Sequence, residues 1–340
     1  MQIRTRDLLK SWSKLLRGRT PLLSIEVTRE CPLHCPGCYA YAEGHTGPGA
    51  SLRDVRDYHG DELVRGLLAL VERHDPIHVS LVGGEPLVRH RELGEVLPIL
   101  SARGYVTLVV TSGVLPVPPE CTRLPRVIVA VSVDGLPRDH DVRRQPATYD
   151  RILRNIEGCK VYLHWTVVRS HAEQPGYFEE YLAFWNARPE VDRILVSLYS
   201  PQRGEQTPEM LPVATRAAIA DRLHQLSQTY KKLLAPRCIA DAFAGPPASA
   251  RHCVFARISR NYASDLETAV QPCILGGDPD CEQCGCAVSA ALNGVADISL
   301  AGPLRVRHLI NWSTGIASAV TFLRGTADPA RITGNGNGPA

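Results

Sequence analysis

Leu22-Leu-Ser-Ile-Glu-Val-Thr28 runs directly into Arg29-Glu30-Cys31-Pro-Leu-His-Cys35-Pro-Gly-Cys38-Tyr39. The first seven residues have the length and aliphatic character of a buried strand. The loop that follows projects Cys31, Cys35 and Cys38 from the strand's carboxyl end toward one point. Thiolates are the expected ligands of iron–sulfur centres. Four cysteines saturate such a cluster and suit electron transfer, whereas three leave one iron able to bind a small molecule. A zinc site or three unrelated core cysteines are the alternatives. Structural zinc asks for four protein ligands, however, and C-x3-C-x2-C differs from paired C-x2-C knuckles. The spacing of the thiols leaves His34 a spectator.

Working outward, short β-branched runs alternate with helical patterns as far as residue 200. Strands are expected at Leu22–Thr28, His78–Gly83, Val106–Ser112, Val127–Asp134, Lys160–Val168 and Arg193–Ser200. Helices are expected at Asp61–His74, Arg91–Arg103, Tyr149–Gly158 and Tyr177–Arg188. This rhythm predicts an α/β fold, a partial (β/α)6 TIM-type barrel wound by right-handed crossovers, with its chemistry at the carboxyl ends of the strands. Residues 21–234 form the barrel in this reading, preceded by an amphipathic helix at 1–20. A loop-rich C-terminal metal-binding module at 235–304, a helix at 305–325 and a disordered tail at 326–340 follow.

Composition fits a catalytic or binding protein with a sizeable core: 340 residues, 44% hydrophobic, 38 basic against 35 acidic residues and a net charge of +3. No block of one sign calls for a nucleic-acid partner. No stretch approaches the roughly 20 apolar residues that span a bilayer, and the first 20 residues lack a signal-peptide core, so a cytoplasmic location is expected. Eleven cysteines in a reducing compartment, eight of them in two groups, point to metal or redox chemistry rather than disulfides.

The strand ends carry further motifs. The second closes with Gly83-Gly84-Glu85-Pro86, the third with Thr111-Ser112-Gly113 and the fourth with Ser132-Val133-Asp134-Gly135, followed by His140-Asp141-Val142-Arg143-Arg144. Glycines at 83 and 84 admit close backbone approach by a ligand, and Pro86 fixes the exit of the turn. Ser132 and Asp134 share a face, where a hydroxyl and a carboxylate can bond ribose hydroxyls. For each, the plainer alternative is an ordinary turn or surface ion pair. With the thiol triad and Tyr39, this series resembles the radical S-adenosylmethionine superfamily, although Gly37 stands where many members place an aromatic residue. The resemblance covers residues 22 to about 200. It implies an open-site 4Fe-4S cluster on Cys31, Cys35 and Cys38, and S-adenosyl-L-methionine held by Tyr39, Gly83, Gly84, Glu85, Pro86, Ser112, Ser132, Asp134 and Arg144. It further implies reductive cleavage of S-adenosylmethionine to a 5′-deoxyadenosyl radical that takes hydrogen from substrate, with a flavodoxin or ferredoxin as reductant.

Cys253, Cys273, Cys281, Cys284 and Cys286 form the second thiol group, in a segment with little core of its own. Such a segment gains most from a metal staple. The pattern looks like a shortened form of the auxiliary-cluster extensions, of the SPASM or twitch kind, found in many radical enzymes. Cys253, Cys273, Cys281 and Cys284 are expected to hold a second 4Fe-4S cluster, with Cys286 the first substitute; a zinc ribbon is the alternative. Cys121, Cys159 and Cys238 stand apart and read as small buried residues.

Leu8, Leu9, Trp12, Leu15 and Leu16 recur at helical spacing among Arg4, Arg6, Lys10, Lys14, Arg17 and Arg19. The pattern fits a helix packed on the barrel, or an interfacial helix giving peripheral contact with the inner face of the membrane. Tyr199 and Gln202, after the sixth strand, are expected to face an unidentified substrate: a small molecule, lipid or peptide. A non-catalytic iron–sulfur electron-transfer protein and a zinc-stabilised binding module are the competing classes.

Overall fold

The computed structural model describes residues 5–146 and 148–324. The expected tail at 326–340 and residues 1–4 lie outside that range. In chain order the elements are α1 (Thr5–Leu16), β1 (Leu22–Glu26), α2 (Gly60–His74), β2 (His78–Val82), α3 (His90–Ala102), β3 (Val106–Thr111), α4 (Pro119–Arg123), β4 (Val127–Ser132), α5 (Pro137–Arg143), α6 (Tyr149–Asn155), β5 (Val161–Val167), α7 (Arg169–Glu173), α8 (Tyr177–Ala187) and β6 (Val191–Leu198). After them come α9 (Arg216–Thr229), α10 (Arg237–Ala244), α11 (Val254–Ile258), β7 (Ser259–Tyr262), α12 (Ala287–Ala296), a β8–β9 hairpin (Ser299–Ala301, Leu304–Arg305) and α13 (Val306–Arg324).

The main sheet has the order β6-β5-β4-β3-β2-β1-β7, with every pairing parallel. Side chains alternate across a strand, and the apolar set falls on one face: Leu23 and Ile25, Val79 and Leu81, Val129 and Val131, Leu163 and Trp165, Ile194 and Val196 all enter one core with residues of α2, α3, α6, α8 and α9. Helices therefore cover a single face, as in a barrel wall, and β6 does not pair with β7 to close it. The partial TIM-type barrel is the architecture. Its other face carries Ser24, Glu26, Ser80, Ser132, His164 and Ser197, which the parallel register sets on the side opposite the apolar set.

The expected six strands all form, each within two residues of its expected start. The seventh, β7, was not anticipated. It comes from the cysteine-rich segment and pairs with β1 through Leu22–Ser259 to Ile25–Tyr262. Ser-Arg-Asn-Tyr offers no run of β-branched residues; pairing beside β1, rather than propensity, makes it a strand. Three short helices, α10, α11 and α12, also lie in the segment read as loop-rich.

α1 is fastened by ion pairs of Asp7 with Arg126 (3.1 Å) and Lys14 with Asp75 (2.5 Å). Its Leu15 is buried with Val254, Ile258, Ala296 and Ile310. Those partners place α1 at the amino ends of β2 and β4, away from the thiols.

Candidate functional site

The loop between β1 and the helical turn Tyr39–Tyr41 carries the first thiols, all three half-buried, while His34 is exposed. Gly37 turns the loop at a φ of +65°. Leu33 and Val114 form a buried apolar pad against Cys31 and Cys35. Burial, with Glu85, Cys35 and Cys38 as neighbours, pushes the Cys31 thiol up to about 11. Cys35 is also raised by burial, partly offset by Arg144. Three thiols on one short loop, Cys35 and Cys38 both near enough to act on Cys31, suit a cation, whose arrival displaces thiol protons. This donor set fits an iron–sulfur cluster with one unligated corner.

The turn after β2 lies against the chain leading into Cys31. Gly84 N donates to Thr28 O at 2.9 Å and Glu85 N to Glu30 O at 2.8 Å. A Cβ on Gly84 would stand 2.2 Å from Glu30 O, and Gly83 has a φ of +111°. No other residue type fits both positions without moving backbone. Glu85 is buried and accepts from Leu87 N (3.0 Å), Thr111 Oγ1 (2.6 Å), Ser112 N (2.7 Å) and Ser112 Oγ (2.5 Å). Glu85 and Ser112 thus bond each other and knit β2 to β3. Pro86 opens the short 3-10 turn Pro86–Arg89.

Asp134 is fully buried and lies at the end of β4 beside buried Ser132. Its Oδ2 accepts from Arg143 Nη1 and from Arg144 Nε (2.8 Å), and its Oδ1 from Thr166 N (2.9 Å). The two guanidinium groups outweigh burial and hold this carboxyl far below the usual range. Arg143 also forks onto Glu209 (2.7 and 3.0 Å), and Cys35 lies near enough to Arg144 to help hold its charge. Two cations therefore flank the first thiol loop. Arg143 was missed as a site residue, though the Arg-Arg pair after the fourth strand was its signal.

The second thiols gather at the carboxyl end of β6. Gly285 lies so close that its Cβ would stand 2.1 Å from Leu198 O, and Ala287 N donates to Ser197 Oγ at 3.0 Å. The Cys273 loop is fastened to the barrel through His45, whose Nδ1 meets Leu275 O (3.1 Å) and whose Nε2 meets Glu26 Oε1 (2.8 Å). Glu26 and His45 are both buried, and neither was anticipated; a lone Glu at a strand end and a lone His in a loop give no spacing signal. Burial raises the Tyr39 hydroxyl, and Glu26, Cys38, Cys286 and Cys273 raise it further. Tyr39 therefore stands between the two thiol groups. The Tyr199 hydroxyl donates to Glu205 (2.6 Å) and lies 3.1 Å from where a Cβ on Gly37 would be. Gln202 lies beside Gly277. The segment after β6 thus touches both thiol loops. Cys121 and Cys159 are buried elsewhere, as expected; Cys238 is half-buried.

An open groove of about 540 Å³, lined by Arg29, Glu30, Cys31, Pro32, Arg53 and Val88, reaches the first thiol loop from outside. A second cavity, of about 440 Å³, lies between α7, α8 and α9, with no thiol in its lining.

Residues 25–169 match a family model described as Radical SAM superfamily. The chain is 26% identical over 214 residues to 7-carboxy-7-deazaguanine synthase of Hyperthermus butylicus, covering 61% of this chain and 78% of that protein. It is 27% identical over 187 residues to Fe-coproporphyrin III synthase of Methanosarcina barkeri, covering 51% and 45%. Among solved structures, Streptococcus suis SuiB bound to precursor peptide SuiA superposes with a TM-score of 0.56 at 14% identity, covering 79% of this chain and 63% of SuiB. Native anSMEcpe with bound AdoMet gives 0.52 at 15% identity, covering 89% and 97%. The chain thus spans less than two thirds of SuiB and less than half of the Methanosarcina relative. At these identities the structural likeness concerns the fold.

Proposed function

We propose that this chain, a radical S-adenosylmethionine enzyme by its domain over residues 25–169, acts on a substrate held between its two thiol groups. The observation that carries the reading is the contact between the thiol loop and the glycine turn, where Gly84 and Glu85 hydrogen-bond the backbone at Thr28 and Glu30. It sets a three-thiolate donor set beside a half-buried glycine turn. When bound, a 4Fe-4S cluster with S-adenosylmethionine supplies an electron and a 5′-deoxyadenosyl radical that abstracts hydrogen from substrate.

Cys31, Cys35 and Cys38 hold the cluster and leave one corner for the cosubstrate. Gly83 and Gly84 let the turn seat against the chain leading into Cys31, which holds it where the methionyl end would bind. Glu85, Ser112 and Pro86 keep that turn in place, because the bonds of Glu85 are made to protein. Ser132 and Tyr39 line the nucleoside side, and Asp134 aims Arg144 at the same region. Tyr199 and Gln202 face the substrate. The C-terminal thiols hold a second 4Fe-4S centre. A flavodoxin or ferredoxin delivers electrons at the groove beside Cys31, where Arg29 and Arg53 suit an acidic carrier.

No helix among the described residues is long and apolar enough to cross a membrane, in keeping with the cytoplasmic location we propose. The outward Leu9 and Leu16 (69% and 43% exposed), flanked by exposed Lys10 and Arg17, favour a second reading in which α1 also touches anionic lipid.

The test is anaerobic reconstitution with iron and sulfide, then dithionite and S-adenosylmethionine. Release of 5′-deoxyadenosine is expected. A reduced, cluster-loaded protein that binds S-adenosylmethionine and releases none overturns the proposal.

A further inference from the structure

Two arginines are buried among the described residues, Arg89 (5% exposed) and Arg216 (2%). Taking a guanidinium out of water is costly unless an anion and hydrogen bonds compensate. Arg89 meets that demand in the usual way, between the carboxylates of Glu30 and Asp57, each at 2.9 Å. Arg216 does not. Its Nη2 donates to the carbonyl of Cys284 (2.7 Å), and its buried Nε has no partner among the described residues. No described carboxylate forms an ion pair with it. Asp280 acts on it only from a distance, and gives its own Oδ2 to Gln283 Nε2 at 2.7 Å.

The place is unfavourable in a second way. Arg216 is the first residue of α9, a 14-residue helix with no acidic residue in its first turn. The amino end of a helix carries unsatisfied N–H groups and the positive end of the dipole, so it favours anions over guanidinium groups. A buried cation that lacks a carboxylate and stands at that end calls for an anion from elsewhere.

The second thiol group is what faces it. The carbonyl that Arg216 grips belongs to Cys284 itself. The next residue is held from the barrel, Leu198 N donating to Gly285 O (2.8 Å) and Gly285 N to Ser200 Oγ (2.8 Å). Between β6 and α9 the segment is therefore fixed, and Cys284 cannot swing away from the guanidinium. Protonated thiols would leave Arg216 uncompensated. Four thiolates around a 4Fe-4S core leave a net negative charge, and reduction adds one more electron. The orphaned guanidinium thus fits an anionic centre on these thiols.

We infer that Arg216 is the counter-charge of the second centre: held on the Cys284 carbonyl, it favours the reduced, more negative state and so raises that centre's potential. The inference rests on the second iron–sulfur centre proposed above. Arg216 is a positioning residue in this role, acting through the centre, and its charge is felt strongly because the surroundings are buried.

The experiment titrates the full-length protein, reconstituted anaerobically, against potential, with iron counted and the reduced centres followed by electron paramagnetic resonance. The first centre is the one whose signal changes when S-adenosylmethionine is added. Wild type is expected to hold about eight irons and show two signals. Arg216→Gln keeps a donor for the Cys284 carbonyl but no charge. It is expected to keep about eight irons and to lower the second centre's midpoint by about 59 mV or more, a tenfold shift of a one-electron equilibrium, with the first centre unmoved. Arg216→Lys, which keeps the charge, is expected to recover most of that shift. A midpoint unchanged in Arg216→Gln, or lowered equally in both variants, overturns the role of Arg216 and leaves the second centre standing. Should Arg216→Gln lose about four irons, iron kept by Arg216→Lys supports the role and iron lost by both overturns it. Wild type with about four irons and one signal overturns the second centre itself, and the role with it.

Discussion

The main-chain nitrogen of Ser112 donates to the carboxylate of Glu85 at 2.7 Å, and the Ser112 hydroxyl donates to the same oxygen at 2.5 Å. One buried side chain at the end of β2 thereby fixes the end of β3. Since the chain before Cys31 hydrogen-bonds the same turn, the position of the first thiol loop depends on that carboxylate through two short steps.

Glu85→Gln tests this brace. An amide can replace one oxygen but turns a donor toward the Ser112 N–H or the Thr111 hydroxyl. A buried donor left without an acceptor costs about 1–3 kcal/mol. The variant is expected to lose about that much stability in urea unfolding and to bind S-adenosylmethionine more weakly, with its iron retained. Wild-type stability and affinity would show that the four bonds to Glu85 are dispensable.

Alanine at Cys31, Cys35 or Cys38 should act at the cluster rather than the fold. Each thiol is half-buried in a loop outside the main core, so far-UV circular dichroism should stay unchanged. Iron should fall by about four per chain and 5′-deoxyadenosine release should vanish. A variant that still cleaves S-adenosylmethionine would remove that thiol from the ligand set.

Gly84→Ala brings a steric test of the same corner. The added carbon would stand 2.2 Å from Glu30 O and 2.7 Å from the Tyr41 hydroxyl. The hydroxyl can swing aside but the carbonyl cannot, so the backbone before Cys31 must move. Cluster content and nucleoside release should both drop at least tenfold. Gly94, whose Cβ would meet nothing within 4 Å, is the control and should tolerate alanine.

The barrel was legible because each strand carries its own local signal: Val161–Val167 alternates buried and half-buried residues in register with its neighbours. The site was legible where a motif is contiguous, as at Cys31–Cys38 and Gly83–Pro86. Partnerships made in space were not. Nothing in the sequence pairs Asp134 with Arg143 and Thr166, or Glu26 with His45, because those contacts exist only once β4, β5 and the loops converge. β7 was invisible for the same reason: Ser259–Tyr262 is a strand only beside β1.

Asp134→Asn should be strongly destabilising. It removes the charge that Arg144 faces, while Arg143 keeps Glu209. Breaking a buried ion pair from one side costs about 3–5 kcal/mol. Because the folded carboxyl sits far below its ordinary value, its contribution is complete above about pH 4 and is lost only as pH falls below that. The gap between wild type and variant should therefore be constant from about pH 5 to pH 8 in urea titrations. A gap that closes within that range would mean the carboxylate is not held ionised by its arginines.

Acid should weaken the fold through histidines buried without charge. His140 Nδ1 accepts from Asp134 N (3.0 Å) and His171 Nδ1 from Val168 N (3.4 Å), so neither nitrogen can take a proton without losing its bond. Both rings are buried, which pushes His140 down to about 3 and His171 to about 4. Arg144 adds to the lowering at His140. Between about pH 6.5 and 4 the unfolded chain binds these protons and the native chain does not, so stability falls as pH falls. Each histidine contributes a slope of up to about 1.4 kcal/mol per pH unit. His45, raised by its bond to Glu26, works against this by one proton. Urea midpoints should therefore drop from pH 7 to pH 5 for the wild type. His171→Gln, which gives up the stack on Tyr177 at 4.7 Å, should start lower at pH 7 yet lose less over the same interval. Parallel slopes for the two proteins would show that His171 is not among the groups that sense acid.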